Sequence, residues 1–94
     1  PLDPVLHNQL RLAIVSLLVS VESADFNFLL EKTGATRGNL SVQITKLKDA
    51  GYLTVKKTFK DNYPNTRCSL SAKGLKSFEA YVQAIKEYLG SAES

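Results

Sequence analysis

Apolar residues follow a helical period through most of this chain and a strand-like pattern in one stretch past its middle. Between Arg37 and Ala50, Leu40, Ile44 and Leu47 fall on one side. Gly38, Val42, Thr45 and Asp49 fall on the other, flanked by Asn39, Ser41 and Lys46. At about 100° per residue this is a helix with one apolar and one polar face. Just before it, Phe26, Leu29 and Leu30 are spaced i, i+3, i+4, the core face of a shorter helix for which Ser23 and Asp25 are cap candidates. Thr33-Gly34-Ala35-Thr36 separates the two: Gly34 is suited to the left-handed conformation that ends a helix, and the Thr36 hydroxyl to capping the next. Gly51 closes the second helix, with Tyr52 and Leu53 packing back. Residues 25–50 therefore read as a helix-turn-helix.

The flanks complete a pattern. Leu2-Asp3-Pro4 offers a cap with proline at the first helical position, and Leu6 to Val21 is apolar nearly all round, so residues 4–21 are expected to form a helix buried on more than one side. Tyr52 to Phe59 is rich in β-branched and aromatic residues, Lys60 to Asn65 is turn chemistry, and Thr66 to Leu70 is the returning strand, a hairpin over 52–70. Ser71 caps a last helix, 72–89, in which Leu75, Phe78, Val82, Ile85 and Leu89 form a heptad seam with Tyr81 and Tyr88 as a second stripe. One stripe suffices to finish a small core; the other suggests a partner copy. Gly90 to Ser94 are expected to fray. The fold expected is mostly α with a small antiparallel β-wing: one domain over residues 1–94, a winged helix-turn-helix extended by a C-terminal dimerisation helix.

Charge sharpens the picture. The net charge of +3 is modest, but residues 34–67 carry seven cations against two acids, whereas the segments on either side are acidic or neutral. A basic sector confined to the second helix and the hairpin points to a polyanion. Double-stranded DNA needs cations on phosphates for affinity and a few side chains on base edges for sequence choice. Lys56, Lys57, Lys60 and Arg67 suit the first task, as do Thr36 and Ser41 near a helix N-terminus. For the second, Arg37 can bond guanine, Asn39 or Gln43 adenine, and Val42 or the Thr45 methyl a thymine methyl. Gly38 costs about 1 kcal/mol in a helix relative to alanine. It marks either a close approach to a partner or a small residue needed for packing on the preceding helix. Asn39 and Gln43 are equally suited to intramolecular bonding.

In this order the elements resemble the winged-helix transcriptional regulators of the MarR and ArsR type. LDPVLHNQLRLAIVSLL, ADFNFLLEKTGATRGNLSVQITKLKDAGYL and YPNTRCSLSAKGLKSFEAY carry the likeness over almost the whole chain. The resemblance implies a homodimer built from the first and last helices on a partly palindromic DNA site. It assigns Arg37, Gly38, Asn39, Ser41, Val42, Thr45 and Lys46 to the groove-facing surface, and Lys60, Asn62 and Arg67 to the wing. The dimer surface expected is Leu10, Ile14 and Leu17 of the first helix with Leu75, Phe78, Tyr81, Val82, Ile85, Tyr88 and Leu89 of the last. The chain departs from metal-sensing relatives in having no cysteine pair and no His and acidic cluster.

Enzyme chemistry finds no support. His7 is the only histidine, Cys68 the only cysteine and most simply a half-buried apolar residue, and neither a phosphate loop nor metal-ligand spacing is present. No cofactor is expected. A lone cysteine, no signal-peptide layout and no apolar run long enough for a bilayer point to the cytoplasm, without a membrane partner. Two alternatives to a DNA-binding regulator are a winged helix used as a protein-interaction module, and a regulator gated by a small ligand at a dimer seam lined by Phe78, Tyr81 and Tyr88.

Overall fold

Short polar side chains decide where the helices begin. In the computed structural model, which describes residues 2–93 with side chains as far as Gly90, helix α1 spans Gln9–Val19. Its cap is Asn8, whose Oδ1 accepts from the Arg11 amide at 2.9 Å. The helix expected from residue 4 thus starts five residues later and stops before Val21. Asp3 does cap, but only a turn: its carboxylate accepts from the Val5 amide at 2.8 Å and its carbonyl from the His7 amide at 2.8 Å. Asn8, in extended backbone with φ −150°, separates that turn from the helix.

Strand β1 (Ala24–Asp25) was not expected, because two residues carry no periodicity. Asp25 is also the cap of α2 (Phe26–Thr33), accepting from the Phe28 amide at 2.8 Å. Ser23 does not cap; its hydroxyl receives Arg67 instead. Gly34 takes φ +69° and ends α2, and Thr36 caps α3 (Arg37–Asp49) through the Asn39 amide at 3.2 Å.

The hairpin is longer and tighter than its sequence suggests. β2 (Leu53–Lys60) and β3 (Tyr63–Leu70) are joined by Asp61 and Asn62 alone, with φ of 52° and 66°. Two successive left-handed residues make the turn whose twist matches paired strands, so Lys60, Tyr63, Pro64 and Asn65 are strand rather than turn. The antiparallel sheet has the order β1-β3-β2. Helix α4 (Ala72–Glu93) starts at Ser71, whose Oγ accepts from the Gly74 amide at 3.0 Å and donates to the Gly51 carbonyl at 2.6 Å. The helix continues through residues 90–93, where fraying was expected; Ser94 lies outside the described residues.

The core joins Ile14, Val15 and Leu18 of α1, Leu29 of α2 and the apolar stripe Leu40, Ile44 and Leu47 of α3 to Leu53 and Cys68 of the sheet. Cys68 is fully buried, not half-buried. Two residues expected at a dimer surface are used inside the chain. Ile14 is 0% exposed because α1 turns it onto the core. Tyr81 is buried on the inner side of α4, its hydroxyl hydrogen-bonded to His7 Nδ1 at 3.1 Å. Tyr81 lines a cleft with Leu2, Asp3, Pro4, Ser77, Ala80 and Ala84, so it faces the N-terminal turn. Phe78 and Ile85 pack against the core in part, whereas Leu75, Tyr88 and Leu89 are exposed. The heptad seam thus straddles the boundary between core and solvent.

Gly74 permits the approach of α4 to the sheet. A β-carbon there would stand 2.3 Å from the Tyr52 carbonyl oxygen and 2.8 Å from Leu70 Cδ1. Gly74→Ala is therefore expected to lower stability by about 1–3 kcal/mol, read as an earlier urea midpoint. A second expectation concerns alkaline pH. Burial, and then the hydrogen bond to Asp3, push the Tyr52 hydroxyl above its ordinary pKa of 10.0; burial pushes the Cys68 thiol above 9.0. Folding then holds both protons more tightly than the unfolded chain does. Their contribution is complete below the ordinary values and is lost as pH rises through the raised ones. Melting temperature should fall as pH rises above about 9, and a flat profile to pH 11 would contradict the assignment.

Candidate nucleic-acid interface

Because Leu40, Ile44 and Leu47 are drawn into the core, the other side of α3 must face outward, and it does. Arg37, Gly38, Asn39, Ser41, Val42, Thr45 and Lys46 are all exposed, Val42 by 50%. The Thr45 hydroxyl donates to the Ser41 carbonyl at 3.0 Å, which leaves the methyl as what Thr45 most readily offers a partner. The Arg37 guanidinium lies 5.8 Å from the centre of the Phe26 ring, with Nη2 3.5 Å from Asn27 Oδ1. The Thr36 hydroxyl is engaged in capping. At Gly38 a β-carbon would meet nothing within 4 Å, so no neighbour among the described residues accounts for a glycine there.

Gln43 is not free. Its Oε1 accepts from Arg11 Nη1 at 2.6 Å and its Nε2 donates to Asn39 Oδ1 at 3.0 Å. Arg11 Nε in turn donates to the Val5 carbonyl at 2.6 Å. An arginine can only donate, so the Gln43 amide is oriented unambiguously and the Asn39 amide nitrogen is left for solvent or a partner. Arg11, on a different helix and far away in sequence, had no local signal to mark it.

The hairpin adds the second half of the site. Strand alternation places Val55, Lys57 and Phe59 on one face, and Lys56 and Lys60 on the other. Lys57 faces α3 across a cleft of about 140 Å³, lined also by Ser41, Thr45, Lys48, Thr66, Phe26, Ile44 and Val55. Lys48 and Lys57 with the hydroxyls of Ser41 and Thr66 over an apolar floor suit a phosphate. Lys48 was missed by the sequence reading, although Ser41, Thr45 and Lys48 stand at i, i+4, i+7 and so share a helix edge. The Lys57 ammonium also lies 3.0 Å from Thr66 Oγ1. Lys60 and Asn62 are exposed at the tip. Arg67 does not join this group: it is half-buried on the face opposite Lys57, and its Nε and Nη2 donate to Ser23 Oγ at 3.2 and 2.9 Å. Lys56, its cross-strand neighbour, shares that opposite face.

Known proteins bear on this geometry. Residues 10–89 match the winged helix DNA-binding domain. An uncharacterized protein of Methanocaldococcus jannaschii is 31% identical over 81 residues, spanning 86% of this chain and 88% of its own. A transcriptional regulator homologue from Pyrococcus horikoshii OT3 superposes with a TM-score of 0.88 at 23% identity, over 96% of this chain and 89% of the other. NadR, solved in complex with 4-hydroxyphenylacetate, superposes with a TM-score of 0.74 at 24% identity, over 96% of this chain and 66% of the other. The architecture is thus the winged helix expected from sequence, a fold of transcriptional regulators, with a third short strand added. No helix among the described residues is long and apolar enough to cross a membrane.

Gly38 separates folding from binding. Gly38→Ala is expected to stabilise the fold by up to about 1 kcal/mol, since the added methyl meets nothing and helix propensity improves. The same substitution should weaken DNA binding in a polarisation assay if the helix backbone approaches a base edge at that point. Equal affinity with raised stability would remove Gly38 from the interface.

Proposed function

We propose that this chain, which belongs to the winged helix DNA-binding family, is a sequence-specific transcriptional regulator that acts on DNA as a homodimer. The carrying observation is the outward polar face of α3 beside a cleft that holds Lys48 and Lys57. In this reading α3 lies in the major groove, with Arg37, Asn39, Val42 and Thr45 toward base edges and Ser41 and Lys46 beside them. Gln43 positions Asn39 and does not read a base itself. Lys48, Lys57 and Thr66 take the phosphate that flanks the groove. Lys60 and Asn62 extend the contact along the backbone or into the minor groove, and Lys56 adds charge from the far face.

The homodimer reading rests on apolar surface that the chain leaves uncovered. Leu75, Tyr88 and Leu89 of α4 are exposed, and Leu10, Leu17, Phe78, Val82 and Ile85 are only partly buried. A paired copy would cover this surface and fix the separation of two recognition helices, which must be roughly 34–36 Å to meet successive major grooves on one side of a duplex.

Binding to duplexes selected from a random pool, followed by polarisation across a salt series, tests the proposal. Log affinity should fall with log salt by about 0.9 per phosphate engaged, and Lys48→Gln or Lys57→Gln should each reduce that slope by about one per half-site. A chain that binds no duplex even at low salt would be a protein-interaction module instead. The double variant Leu75→Asp, Leu89→Asp should sediment as a monomer and lose tight binding to the selected site while retaining weak non-specific binding. Undiminished site affinity in a proven monomer would count against the dimer.

A further inference from the structure

The wing ends in two aromatic rings that the rest of the chain leaves in water. Phe59 is 78% and Tyr63 75% exposed, among the most exposed large apolar side chains described. Neither is needed by the core, which closes at Val55 and Cys68. Strand pairing continues to Lys60↔Tyr63, directly before the two-residue turn, so the rings stand on ordered backbone. We propose that Phe59 is a wedge that enters the minor groove beside the helix-read bases and stacks on a partly opened base step.

Three observations carry this, and all rest on the DNA-binding reading above. The first is direction. Phe59 lies on the same face of β2 as Lys57, and Lys57 lines the cleft against α3. Two residues further along the strand is about 7 Å farther out. A duplex whose phosphate occupies that cleft meets the Phe59 ring next. The second is charge. Lys57 shares the face of Phe59, and Lys56 and Lys60 lie on the opposite face of the same strand; Asp61 at the turn is the one acid of the hairpin. An aromatic ring set among lysines suits a polyanion with apolar, stackable bases beneath its charged surface. The third is rigidity. Phe59 pairs across the ladder with Pro64, whose ring fixes its own backbone φ, so little freedom is lost when the tip inserts.

An apolar wedge in the minor groove opens steps that unstack easily, above all TA and CA. The wing would therefore add a preference for such a step at a fixed distance from the bases read by α3, through deformability and not through hydrogen bonds. Tyr63, on the other face of the hairpin, has a hydroxyl that suits the sugar-phosphate wall of the same groove.

The test uses the whole chain and a duplex of about three helical turns, selected from a random pool, with 2-aminopurine placed in turn at each flanking step. Binding of the unsubstituted chain should raise 2-aminopurine fluorescence at one step per half-site. Phe59→Ala should abolish that rise and weaken affinity about tenfold with the salt slope unchanged, since a stacked base and not a phosphate contact is lost. Phe59→Trp should restore both. The side chain is exposed, so all three proteins should melt alike. Phe59→Ala with undiminished affinity and an unchanged fluorescence rise would overturn the wedge while leaving DNA binding intact. A change of sedimentation in Phe59→Ala would also overturn it, by assigning the ring to contact between copies. Absence of any duplex binding by the unsubstituted chain would overturn the underlying reading as well.

Discussion

Tyr52 stands where four parts of the chain meet. Its amide donates to the Leu47 carbonyl at 2.9 Å, which fixes the exit of α3. Its carbonyl accepts from the Ser71 amide at 3.0 Å, which fixes the entry to α4. Its hydroxyl donates to the Asp3 carboxylate, and the Lys73 ammonium lies 5.7 Å from the centre of its ring. Leu53, the next residue, opens the wing. Gly74 is held against the same carbonyl so closely that no side chain fits between. One residue thus sets the angle between the recognition helix and the hairpin, and the angle of the last helix to both. The bonds that converge on this junction keep that angle from drifting, as the proposed contact with a rod-shaped ligand at two places requires.

A second set of bonds runs from the first helix to the outward face of α3. Val5, Arg11, Gln43 and Asn39 form a chain of hydrogen bonds that passes beneath the polar surface and ends on it. A hydrogen bond to a charged group contributes about 1.5–3 kcal/mol when buried, and less here because the chain is partly open to solvent. Its larger effect is on geometry. Asn39 has one face of its amide held from behind, so it meets a partner with less rotamer freedom to lose. α1 contributes to the core with Ile14, Val15 and Leu18 on another side, so the same helix supports both stability and the presented surface.

Elsewhere the chain keeps features that weaken it as an isolated fold. Gly38 sits in a helix with no neighbour among the described residues to require it. Val42, Phe59 and Tyr63 are large apolar groups in water, and Leu75, Tyr88 and Leu89 continue that exposure along α4. Scattered exposed apolar residues are ordinary on protein surfaces. Val19, Val21 and Phe28 are such cases, whereas the six named above group in two places: α3 with the hairpin, where the excess positive charge lies, and the outer edge of the longest helix. The first is where a polyanion would lie and the second where a copy would.

The sequence by itself determined the helix-turn-helix, the hairpin and the last helix, because each announces itself locally. Leu40, Ile44 and Leu47 repeat at helical spacing, Gly34 and Gly51 take the left-handed conformations that end helices, and Thr36 and Ser71 cap as short hydroxyls do. It also determined which side of α3 faces outward, since burial of one stripe forces the other into solvent. What only the tertiary structure decided depends on contacts between distant residues. β1 exists because β3 offers an edge to Ala24 and Asp25, not because two residues prefer a strand. Lys48 meets Lys57 across the cleft because α3 packs beside the hairpin, and Arg67 is withdrawn from it because sheet alternation and Ser23 hold it on the opposite face. Ile14 turns inward because α1 packs on the core, and Tyr81 turns inward and Leu75 and Leu89 outward because the approach at Gly74 sets how α4 lies on the sheet. Local periodicity states that a helix has two sides; only packing against the rest of the chain says what each side meets.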